Sequence, residues 1–337
     1  MEQIAIGDSG LTTSRIGLGT WAIGGWMWGG TDEAESIATI RAAVDGGITL
    51  IDTAPVYGFG RSEEIVGKAL AEGGLRDKVQ IATKVGLGWK NGQVYRDSRP
   101  ARIRREIEDS LRRLRTDAID LYQVHWPDIA TPIAETARTL EDLRREGKIR
   151  AIGVSNYAPA QLDAFRAAVR LDAVQPPYNL FEREIEADVL PYATNAGLTV
   201  LSYGALCRGL LTGRITAETR FAGDDLRNVD PKFQGERLRQ YLAAVDALAT
   251  LARERFGKSV LALAVRWVLD QGPTIALWGA RQPRQLGRVG EIDGWHIDAA
   301  TKRDIDEILK RCVVNPVSPE FMAPPLRRDG EPRAAAA

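Results

Sequence analysis

Cysteine and histidine are scarce in this sequence, with two residues of each type among 337. Cys207 and Cys312 lie far apart and have the spacing of neither a metal site nor a disulfide framework. We interpret both as small apolar side chains. His125 and His296 are too few and too widely separated for an ordinary zinc site. We therefore expect no metal cofactor.

A surplus of charge and a long apolar run are also absent. Forty-five basic residues balance 45 acidic ones, so no overall field favours a nucleic acid or a membrane surface. No apolar stretch approaches the roughly 20 residues that span a bilayer, and the start, MEQIAIGDSG, does not resemble a secretory signal. We expect a cytoplasmic protein without nucleic-acid or membrane partners. The balanced charge permits a monomer.

Short apolar runs alternate with longer amphipathic segments along the chain. The runs are rich in Val, Ile and Leu, which is typical of parallel strands joined by helical crossovers. Eight runs occur, at 15–19, 49–52, 79–84, 118–125, 149–155, 172–175, 198–203 and 274–278. The length would allow two domains, but no linker or change of composition divides the runs. We therefore predict one α/β domain, a (β/α)8 TIM barrel, over residues 1–325.

Four segments lie outside this repeating pattern. Residues 3–17 indicate a small hairpin that closes the lower end of the barrel. Residues 205–236 form the longest loop-like stretch and follow the seventh run, where long loops cover the site of a barrel. Residues 256–272 predict an extra helix before the eighth run. The last residues, 326–337, are expected to be a disordered tail.

Polar residues end most of the apolar runs. In such barrels the carboxyl ends of the strands carry the chemistry, and all of them point towards one small volume. The residues at these ends are Asp52, Lys84, His125, Ser155, Asn156, Gln175, Tyr203, Gly279 and Ala280. Each has an ordinary structural alternative, such as capping, a surface ion pair or a satisfied core histidine. Their common position favours a shared functional site.

Tyr57 follows Asp52 by five residues and is the candidate general acid. A free phenol titrates near 10 and gives up its proton reluctantly at neutral pH. We expect a nearby Lys84 to lower that pKa, Asp52 to keep the lysine charged, and His125 to donate a hydrogen bond to a developing oxyanion. This set of residues is suited to protonating a carbonyl oxygen while a hydride is delivered to the carbonyl carbon.

None of these side chains carries hydride, so the chemistry requires a nicotinamide cofactor. Ser155, Asn156 and Gln175 offer partners for its carboxamide, and Tyr203 offers a face for ring stacking. The glycine-rich fingerprint of doubly wound sheets is absent, so the dinucleotide is expected to lie extended across the barrel top. The stretch GARQPRQL at 279–286 is predicted to start a helix that binds phosphate, and Arg281 predicts a preference for NADPH over NADH.

Three blocks resemble the aldo-keto reductase superfamily over residues 1 to about 325: GGITLIDTAPVYGFGRSEEIVGKAL, SLRRLRTDAIDLYQVHWPD and GKIRAIGVSN. The resemblance implies the barrel fold and a catalytic tetrad of Asp52, Tyr57, Lys84 and His125. It also implies the carboxamide contacts and ring stacking described above, and we assign Thr20, Trp21 and Asp52 to the cofactor site as well.

SYGALCRGLLTG, ALWGARQPRQL and PEFMAPP are similar to a bacterial general-stress subgroup that includes NADP-dependent glycerol dehydrogenases. This similarity places Gly204, Ala205, Leu206 and Arg208 along the pyrophosphate. It places Gly279, Ala280, Arg281 and Gln285 at the adenosine phosphate. The sequence departs from the superfamily pattern where Arg288 and Val289 replace an acid and an asparagine that grip adenine, and where Trp278 replaces a proline.

Tryptophans crowd the loops that follow the strands. Trp21, Trp26, Trp28, Trp89 and Trp126 are candidates for an apolar substrate pocket, with loop packing as the alternative. The sequence thus predicts an NADPH-dependent reductase of aldehydes and ketones that also runs in reverse, with glyceraldehyde and glycerol as one candidate pair. Two alternatives remain open: a cofactor-sensing regulatory subunit, and an isomerase or aldolase that uses Lys84 as a Schiff base.

Overall fold

The computed structural model describes residues 1–326, which include twelve strands. They are β1 (Gln3–Ala5), β2 (Thr12–Ser14), β3 (Ile16–Gly19), β4 (Leu50–Asp52), β5 (Gln80–Val85), β6 (Leu87–Lys90), β7 (Gln93–Arg96), β8 (Ile119–Val124), β9 (Ile149–Ser155), β10 (Ala173–Gln175), β11 (Thr199–Ser202) and β12 (Thr274–Gly279). Apart from Leu326, the predicted tail lies outside the described residues, and the division into one domain and a tail stays a prediction.

Ten α-helices pack around or between these strands in the described part of the chain. They are α1 (Trp21–Gly24), α2 (Glu33–Asp45), α3 (Arg61–Gly73), α4 (Pro100–Leu114), α5 (Ile133–Arg145), α6 (Pro159–Arg166), α7 (Val189–Asn195), α8 (Gly235–Phe256), α9 (Val260–Leu269) and α10 (Ala299–Cys312). None of them is long and apolar enough to cross a membrane.

Local sequence signals set the ends of the crossover helices. Asp32 caps α2 by accepting a hydrogen bond from the Glu35 amide, and Gly46 follows the last turn. Pro100 begins α4, where a missing amide hydrogen costs nothing, and Arg115 ends it in the left-handed conformation. The structure therefore has the helix boundaries that the capping residues predict.

Eight strands close into a parallel barrel in the order β3, β4, β5, β8, β9, β10, β11 and β12. Each strand falls on one of the eight predicted apolar runs, with ends that differ by at most one residue, so the predicted (β/α)8 fold is confirmed. The predicted extra helix is present as α9, which is buried along its whole length. The long stretch after β11 contains only short turns before α8.

Side chains alternate between the barrel interior and the helix layer, because successive residues of a strand point to opposite faces. One interior layer is apolar and consists of Leu50, Ala82, Leu121, Ala151, Ala173, Leu201 and Leu277, together with Ile275. Two residues further along the chain from the first seven come Asp52, Lys84, Gln123, Gly153, Gln175, Tyr203 and Gly279. The polar residues of the predicted site thus lie directly above a dry apolar floor.

The β1–β2 hairpin lies at the other end of the barrel, as predicted. Ile6 follows β1, is fully buried and belongs to the same interior cluster as the apolar layer. The Ser14 hydroxyl accepts a hydrogen bond from the Thr49 amide just before β4, at 2.8 Å. The hairpin therefore keeps water away from the lower side of the apolar layer.

A second hairpin, β6–β7, was not predicted. It follows β5 directly, and its turn is formed by Asn91 and Gly92, both with positive φ. Asn-Gly between alternating residues is the strongest short-range hairpin signal, so this element could have been found from the sequence. The predicted helix after β12 is wrong, because GARQPRQL contains only the four-residue 3-10 turn Pro283–Leu286.

Replacement of Ile6 by Ala tests whether the hairpin supports the barrel. The substitution leaves a cavity beneath the apolar layer and should lower the free energy of unfolding by about 2–5 kcal/mol. Urea unfolding measures the change. Ile4→Ala, in the partly buried part of the same hairpin, is the matched control and should cost clearly less. Equal losses for the two variants would contradict a sealing role for Ile6.

Candidate active site

One large cavity, of about 1050 Å³, opens at the carboxyl ends of the barrel strands. It is lined by almost every residue predicted for the site: Thr20, Trp21, Trp26, Trp28, Asp52, Tyr57, His125, Trp126, Ser155, Asn156, Gln175, Tyr203, Gly204, Leu206, Arg208, Gly279, Ala280, Arg281 and Gln285. Three predicted residues, Lys84, Ala205 and Trp89, are not part of the lining. Lys84 and Ala205 are buried, with side chains beneath the surface of the cavity.

Lys84 forms a buried ion pair with Asp52 on the adjacent strand. The ammonium Nζ lies 2.6 Å from Asp52 Oδ1, 3.0 Å from the Thr53 carbonyl oxygen and 3.3 Å from the Tyr57 hydroxyl oxygen. Lys84 is 1% exposed and Asp52 is 2% exposed. An ammonium has three protons, so these three neighbours account for all of its donors. The predicted acid, lysine and phenol therefore meet at one point.

Tyr57 is positioned by a close approach between the end of α1 and the loop after β4. A Cβ on Gly24 would lie 2.6 Å from the Tyr57 carbonyl carbon, and one on Gly58 would lie 2.1 Å from the Gly24 carbonyl oxygen. Only glycine fits at both positions. The contact brings the Trp21 ring over the phenol, with ring centroids 5.9 Å apart.

The phenol is harder to ionise than predicted. Burial, and then the negative charge of Asp52, raise the pKa of Tyr57 well above its usual value near 10. The expectation of a phenol pKa below its usual value is therefore wrong, because burial and Asp52 raise it. Burial also lowers the pKa of Lys84, against the opposing effect of Asp52. Tyr57 is a neutral phenol that holds its proton firmly.

His125 follows β8, and its imidazole ring meets the edge of the Tyr57 ring at 5.8 Å between centroids. Burial, and then the charge of Lys84, lower the pKa of His125 well below 6.5. A neutral imidazole offers one N–H donor without adding positive charge beside the ammonium.

The second oxygen of Asp52 is bound by two glutamine side chains. Gln175 Nε2 donates to Asp52 Oδ2 at 2.9 Å, and Gln123 Nε2 donates to the same oxygen at 3.3 Å. Gln123 was not predicted, because it lies inside an apolar run and not at its end. The signal was present, since Gln123 lies two residues before His125 and alternation places it inside the barrel.

The predicted carboxamide residues are already hydrogen bonded to one another. Asn156 Nδ2 donates to the His125 carbonyl and to Ser155 Oγ, both at 3.0 Å, and its Oδ1 accepts from the Tyr203 hydroxyl at 2.9 Å. Ser155 Oγ donates to the Gln175 carbonyl at 2.7 Å. Asn156 has positive φ, which this residue type tolerates better than most. The group is rigid, and its remaining capacity for a ligand consists of acceptor lone pairs.

Arg208 does not present its charge freely to the cavity. Its guanidinium donates to Glu182 at 2.7 Å and to Asp230 at 2.6 Å, and it is 8% exposed. Cys207 and Arg208 both have positive φ, so the two carboxylates hold a strained turn in place. Arg208 lines the cavity, but two acids already balance its charge, and its place along a pyrophosphate stays a prediction.

Arg281 and Arg284 line the other end of the cavity. Arg281 Nη1 donates to the Trp28 and Gly30 carbonyls at 2.7 and 3.2 Å, and Arg284 donates to Gln282 Oε1. Neither arginine has an ion pair within residues 1–326, so both charges are available to an anion. Gln285 Oε1 accepts hydrogen bonds from the backbone amides of Arg281 and Gln282. These two amides, which were predicted to bind phosphate, are therefore already occupied.

Aromatic rings form one wall of the cavity. Trp26 packs on Phe59 with centroids 4.9 Å apart, and Phe59 packs on Trp89 at 5.6 Å. Trp89 is not among the residues that line the cavity and packs on Phe59, which agrees with the loop-packing alternative. Leu87 and Val94 of the β6–β7 hairpin also line the cavity and were not predicted. Phe321, Met322 and Pro324 of the SPEFMAPP segment line it as well.

Arg288 and Val289 do not line this cavity, and Arg288 pairs with Glu291 at 3.4 Å. Trp278 is buried, and nothing in the structure explains its difference from the superfamily pattern.

Comparison with known proteins gives a consistent result. The model of the aldo/keto reductase family matches residues 15–310. Aldo-keto reductase YhdN of Bacillus subtilis is 61% identical over 330 residues, which cover 98% of this chain and 100% of the relative. The NADH-specific methylglyoxal reductase of Escherichia coli is 38% identical, over 92% of this chain and 100% of the relative. The solved structure of the glycerol dehydrogenase AKR11B4 from Gluconobacter oxydans has a TM-score of 0.86 and 58% identity, over 95% of this chain and 99% of that chain.

The lowered pKa of His125 can be measured directly. The chain has two histidines, so His296→Gln leaves His125 as the single imidazole. In that variant the imidazole 15N shifts should stay those of a neutral ring from about pH 8 to pH 6, below which an ordinary histidine is mostly protonated. A titration midpoint near 6.5 would show that burial and Lys84 do not control this group.

Proposed function

The chain belongs to the aldo/keto reductase family of NAD(P)-dependent oxidoreductases, and from that premise we propose that it reduces aldehydes and ketones with NADPH. In this proposal Tyr57 is the general acid, and the reaction also runs in reverse on alcohols. The single observation that carries this proposal is that the Tyr57 hydroxyl, which lines the cavity, lies 3.3 Å from the buried Lys84 ammonium. We also propose that the enzyme acts as a cytoplasmic monomer, in line with its balanced charge.

The cavity suits a nicotinamide dinucleotide together with a small carbonyl compound. Its volume of about 1050 Å³ is slightly above the range of about 300–1000 Å³ that is typical of small-molecule sites. Tyr57 and His125 line the same cavity as the unpaired guanidinium groups of Arg281 and Arg284, so one extended ligand can reach both groups. When bound, the nicotinamide supplies a hydride to the carbonyl carbon.

The residues of this chain handle the proton and the developing charge. The neutral phenol of Tyr57 donates its proton to the carbonyl oxygen as negative charge builds up there. The Lys84 ammonium then stabilises the phenolate, and Asp52 keeps the ammonium oriented. The neutral His125 ring donates an N–H to the same substrate oxygen. In the reverse direction the phenolate accepts the proton of the alcohol.

The raised pKa of Tyr57 fits this assignment. A phenol that holds its proton until charge develops on the substrate is protonated at the pH of a cell, which is the form that reduction requires.

The Schiff-base alternative is not favoured by the geometry. All three donors of Lys84 are engaged, and its nitrogen lies beneath the cavity surface behind Tyr57. A nucleophilic lysine needs a free lone pair and a path to the substrate carbonyl. A role as a cofactor sensor would use the same residues and would differ by showing no turnover.

Tyr57→Phe tests the assignment of the proton donor. The substitution keeps the ring against Trp21 and removes only the hydroxyl, so turnover should fall about a hundredfold to ten-thousandfold while cofactor still binds. Loss of nicotinamide absorbance with glyceraldehyde, methylglyoxal and an aromatic aldehyde measures turnover. A cofactor titration followed by fluorescence measures binding.

Tyr122→Phe is the matched control for that experiment. Tyr122 is buried in β8 behind the barrel wall, and its hydroxyl has no hydrogen-bond partner among the described residues. The control should keep the turnover of the parent. Turnover of Tyr57→Phe within threefold of the parent would remove Tyr57 from the mechanism, and a parent that binds NADPH without reducing any carbonyl compound would favour the sensor.

The preference for NADPH is tested at Arg281. The extra phosphate of NADPH needs positive charge, and a charge-assisted hydrogen bond contributes about 1.5–3 kcal/mol. Arg281→Ala should therefore lower kcat/KM for NADPH roughly tenfold or more relative to kcat/KM for NADH. Arg227→Ala, which removes an arginine of the same cavity that is already paired with Asp225, should affect the two cofactors alike. If the ratio of kcat/KM for NADPH to kcat/KM for NADH were unchanged in Arg281→Ala, the role of Arg281 would be refuted. A parent enzyme that prefers NADH would refute the NADPH preference itself; the Escherichia coli relative is named as NADH-specific.

A further inference from the structure

We propose that Gln123, in the middle of β8, is a positioning residue for the reaction, because it orients Asp52 and Gln175 at the same time. The inference rests on the proposed function and extends it to a residue that does not line the cavity. In this role Gln123 holds the anion that orients Lys84 and determines which end of the Gln175 amide faces the cavity.

Gln123 lies at the centre of the polar layer. Its register neighbours are Lys84 on β5 and Gly153 on β9, and it is fully buried inside the barrel. The layer beneath it is apolar, with Leu121 two residues earlier on the same strand. A buried amide with no partner would lower the stability of the fold by about 1–3 kcal/mol. Gln123 is therefore stable at this position because its amide is hydrogen bonded.

A closed triangle of hydrogen bonds joins the three side chains. Gln123 Nε2 donates to Asp52 Oδ2 at 3.3 Å, and Gln175 Nε2 donates to the same oxygen at 2.9 Å. Gln175 Nε2 also donates to Gln123 Oε1 at 3.2 Å. Both protons of the Gln175 amide nitrogen are therefore used, which leaves its carbonyl oxygen as the group available to a ligand.

The barrel makes room for Gln123 on its far side. A Cβ on Gly153 would lie 2.8 Å from Gln123 Cγ, closer than side-chain carbons approach, and β9 has no side chain at this position of the layer. Alanine would push Gln123 away from Asp52 and Gln175. Gly153 and Gln123 therefore pack as a pair, and the missing side chain at Gly153 leaves the space that Gln123 needs to reach its two partners.

Without Gln123, Asp52 keeps its contact with Lys84 but loses one of the two amides that hold its second oxygen. Gln175 loses the acceptor that fixes its amide, so it can rotate and present its NH2 group to the cavity instead of its carbonyl oxygen. Both changes act on the reacting atoms indirectly. The change at Asp52 acts on Tyr57 by way of Lys84, and the change at Gln175 acts on a bound nicotinamide. For this reason Gln123 is a positioning residue and not a catalytic one.

Two substitutions separate hydrogen bonding from packing. Gln123→Met has a similar length and volume but removes both hydrogen bonds at every pH. Gln123→Glu reproduces both bonds only while its carboxyl is protonated, when its O–H donates to Asp52 and its carbonyl accepts from Gln175. Once ionised, it places a second negative charge against Asp52.

The pH dependence of Gln123→Glu follows from the charges around the site. Burial and the adjacent Asp52 favour the protonated form, Lys84 as register neighbour favours the ionised form, and Glu63 acts on Lys84 from the neighbouring helix α3. Tyr57 and His125 are neutral. With only one cation for two carboxyl groups in a buried layer, the pKa of the introduced carboxyl rises above that of a free glutamic acid. Activity is therefore retained below that raised pKa and lost above it.

The kinetic test measures kcat and KM for NADPH and a carbonyl substrate from about pH 5 to pH 9. Gln123→Met should show kcat reduced about 10- to 100-fold at every pH, the loss expected for one or two buried hydrogen bonds. Gln123→Glu should approach the parent at the acidic end and fall as pH rises. The same substitutions at Gln80, on β5 near the opposite end of the barrel, should leave the pH profile of the parent unchanged.

A second measurement needs no turnover. A carboxyl whose pKa is raised in the folded protein binds protons more strongly than in the unfolded chain, so folding stability falls as pH rises above about 4.3. The melting temperature of Gln123→Glu should therefore drop with rising pH relative to Gln80→Glu. Gln123→Met should also bind NADPH several-fold more weakly than Gln80→Met in a fluorescence titration.

The outcomes distinguish this inference from the proposed function. If the parent and Gln123→Met turn over equally and Gln123→Glu shows the parent pH profile, Gln123 has no positioning role, while an inactive Tyr57→Phe would still support the reductase. If the parent reduces no carbonyl compound, the proposed function fails. In that case the inference would be overturned independently if the melting temperatures of Gln123→Glu and Gln80→Glu changed with pH in the same way and Gln123→Met kept the NADPH affinity of Gln80→Met.

Discussion

The buried ion pair between Lys84 and Asp52 is the constraint on which the rest of the site depends. Removing either charge from water costs several kcal/mol, and the attraction between the two offsets that cost only if their remaining donors and acceptors are satisfied. Every such group has a partner here: Thr53 and Tyr57 complete Lys84, and Gln123 and Gln175 complete Asp52. The polar layer is therefore one unit, and loss of a single member leaves a charge insufficiently bound.

The barrel makes that unit possible because it stacks a polar layer on an apolar one. With two residues per repeat, each strand that contributes Leu50, Ala82, Leu121 or Ala173 to the floor contributes a polar residue to the layer above. The floor keeps water from entering between the strands, and Ile6 of the hairpin covers its lower side. Burial is what raises the pKa of Tyr57 and lowers that of His125, so the proton states of the site depend on how closely the surrounding side chains pack.

Strand positions and strand-end residues were predictable from the sequence because both follow from local patterns. Apolar runs mark the strands, and parallel strands bring their carboxyl ends together, so the sequence alone was enough to place Asp52, Lys84 and His125 at one site. Gln123 was missed although alternation within β8 would have placed it inside the barrel. The partners of Arg208 could not be predicted, because Glu182 and Asp230 come from different loops and only the folded chain brings them to the guanidinium.

The ionisation of Tyr57 was also beyond sequence reasoning, because it depends on the balance between two opposing effects. A neighbouring ammonium stabilises a phenolate, whereas burial and a carboxylate close to that ammonium destabilise it. Since Asp52 lies 2.6 Å from Lys84, it cancels much of the positive field that reaches the phenol, and desolvation then controls the pKa. The ion pair thus has little effect on the pKa of the resting phenol. Its contribution grows when the phenolate forms, because the Lys84 proton directed at Tyr57 is fixed in place by the two other contacts of the ammonium and needs no reorganisation.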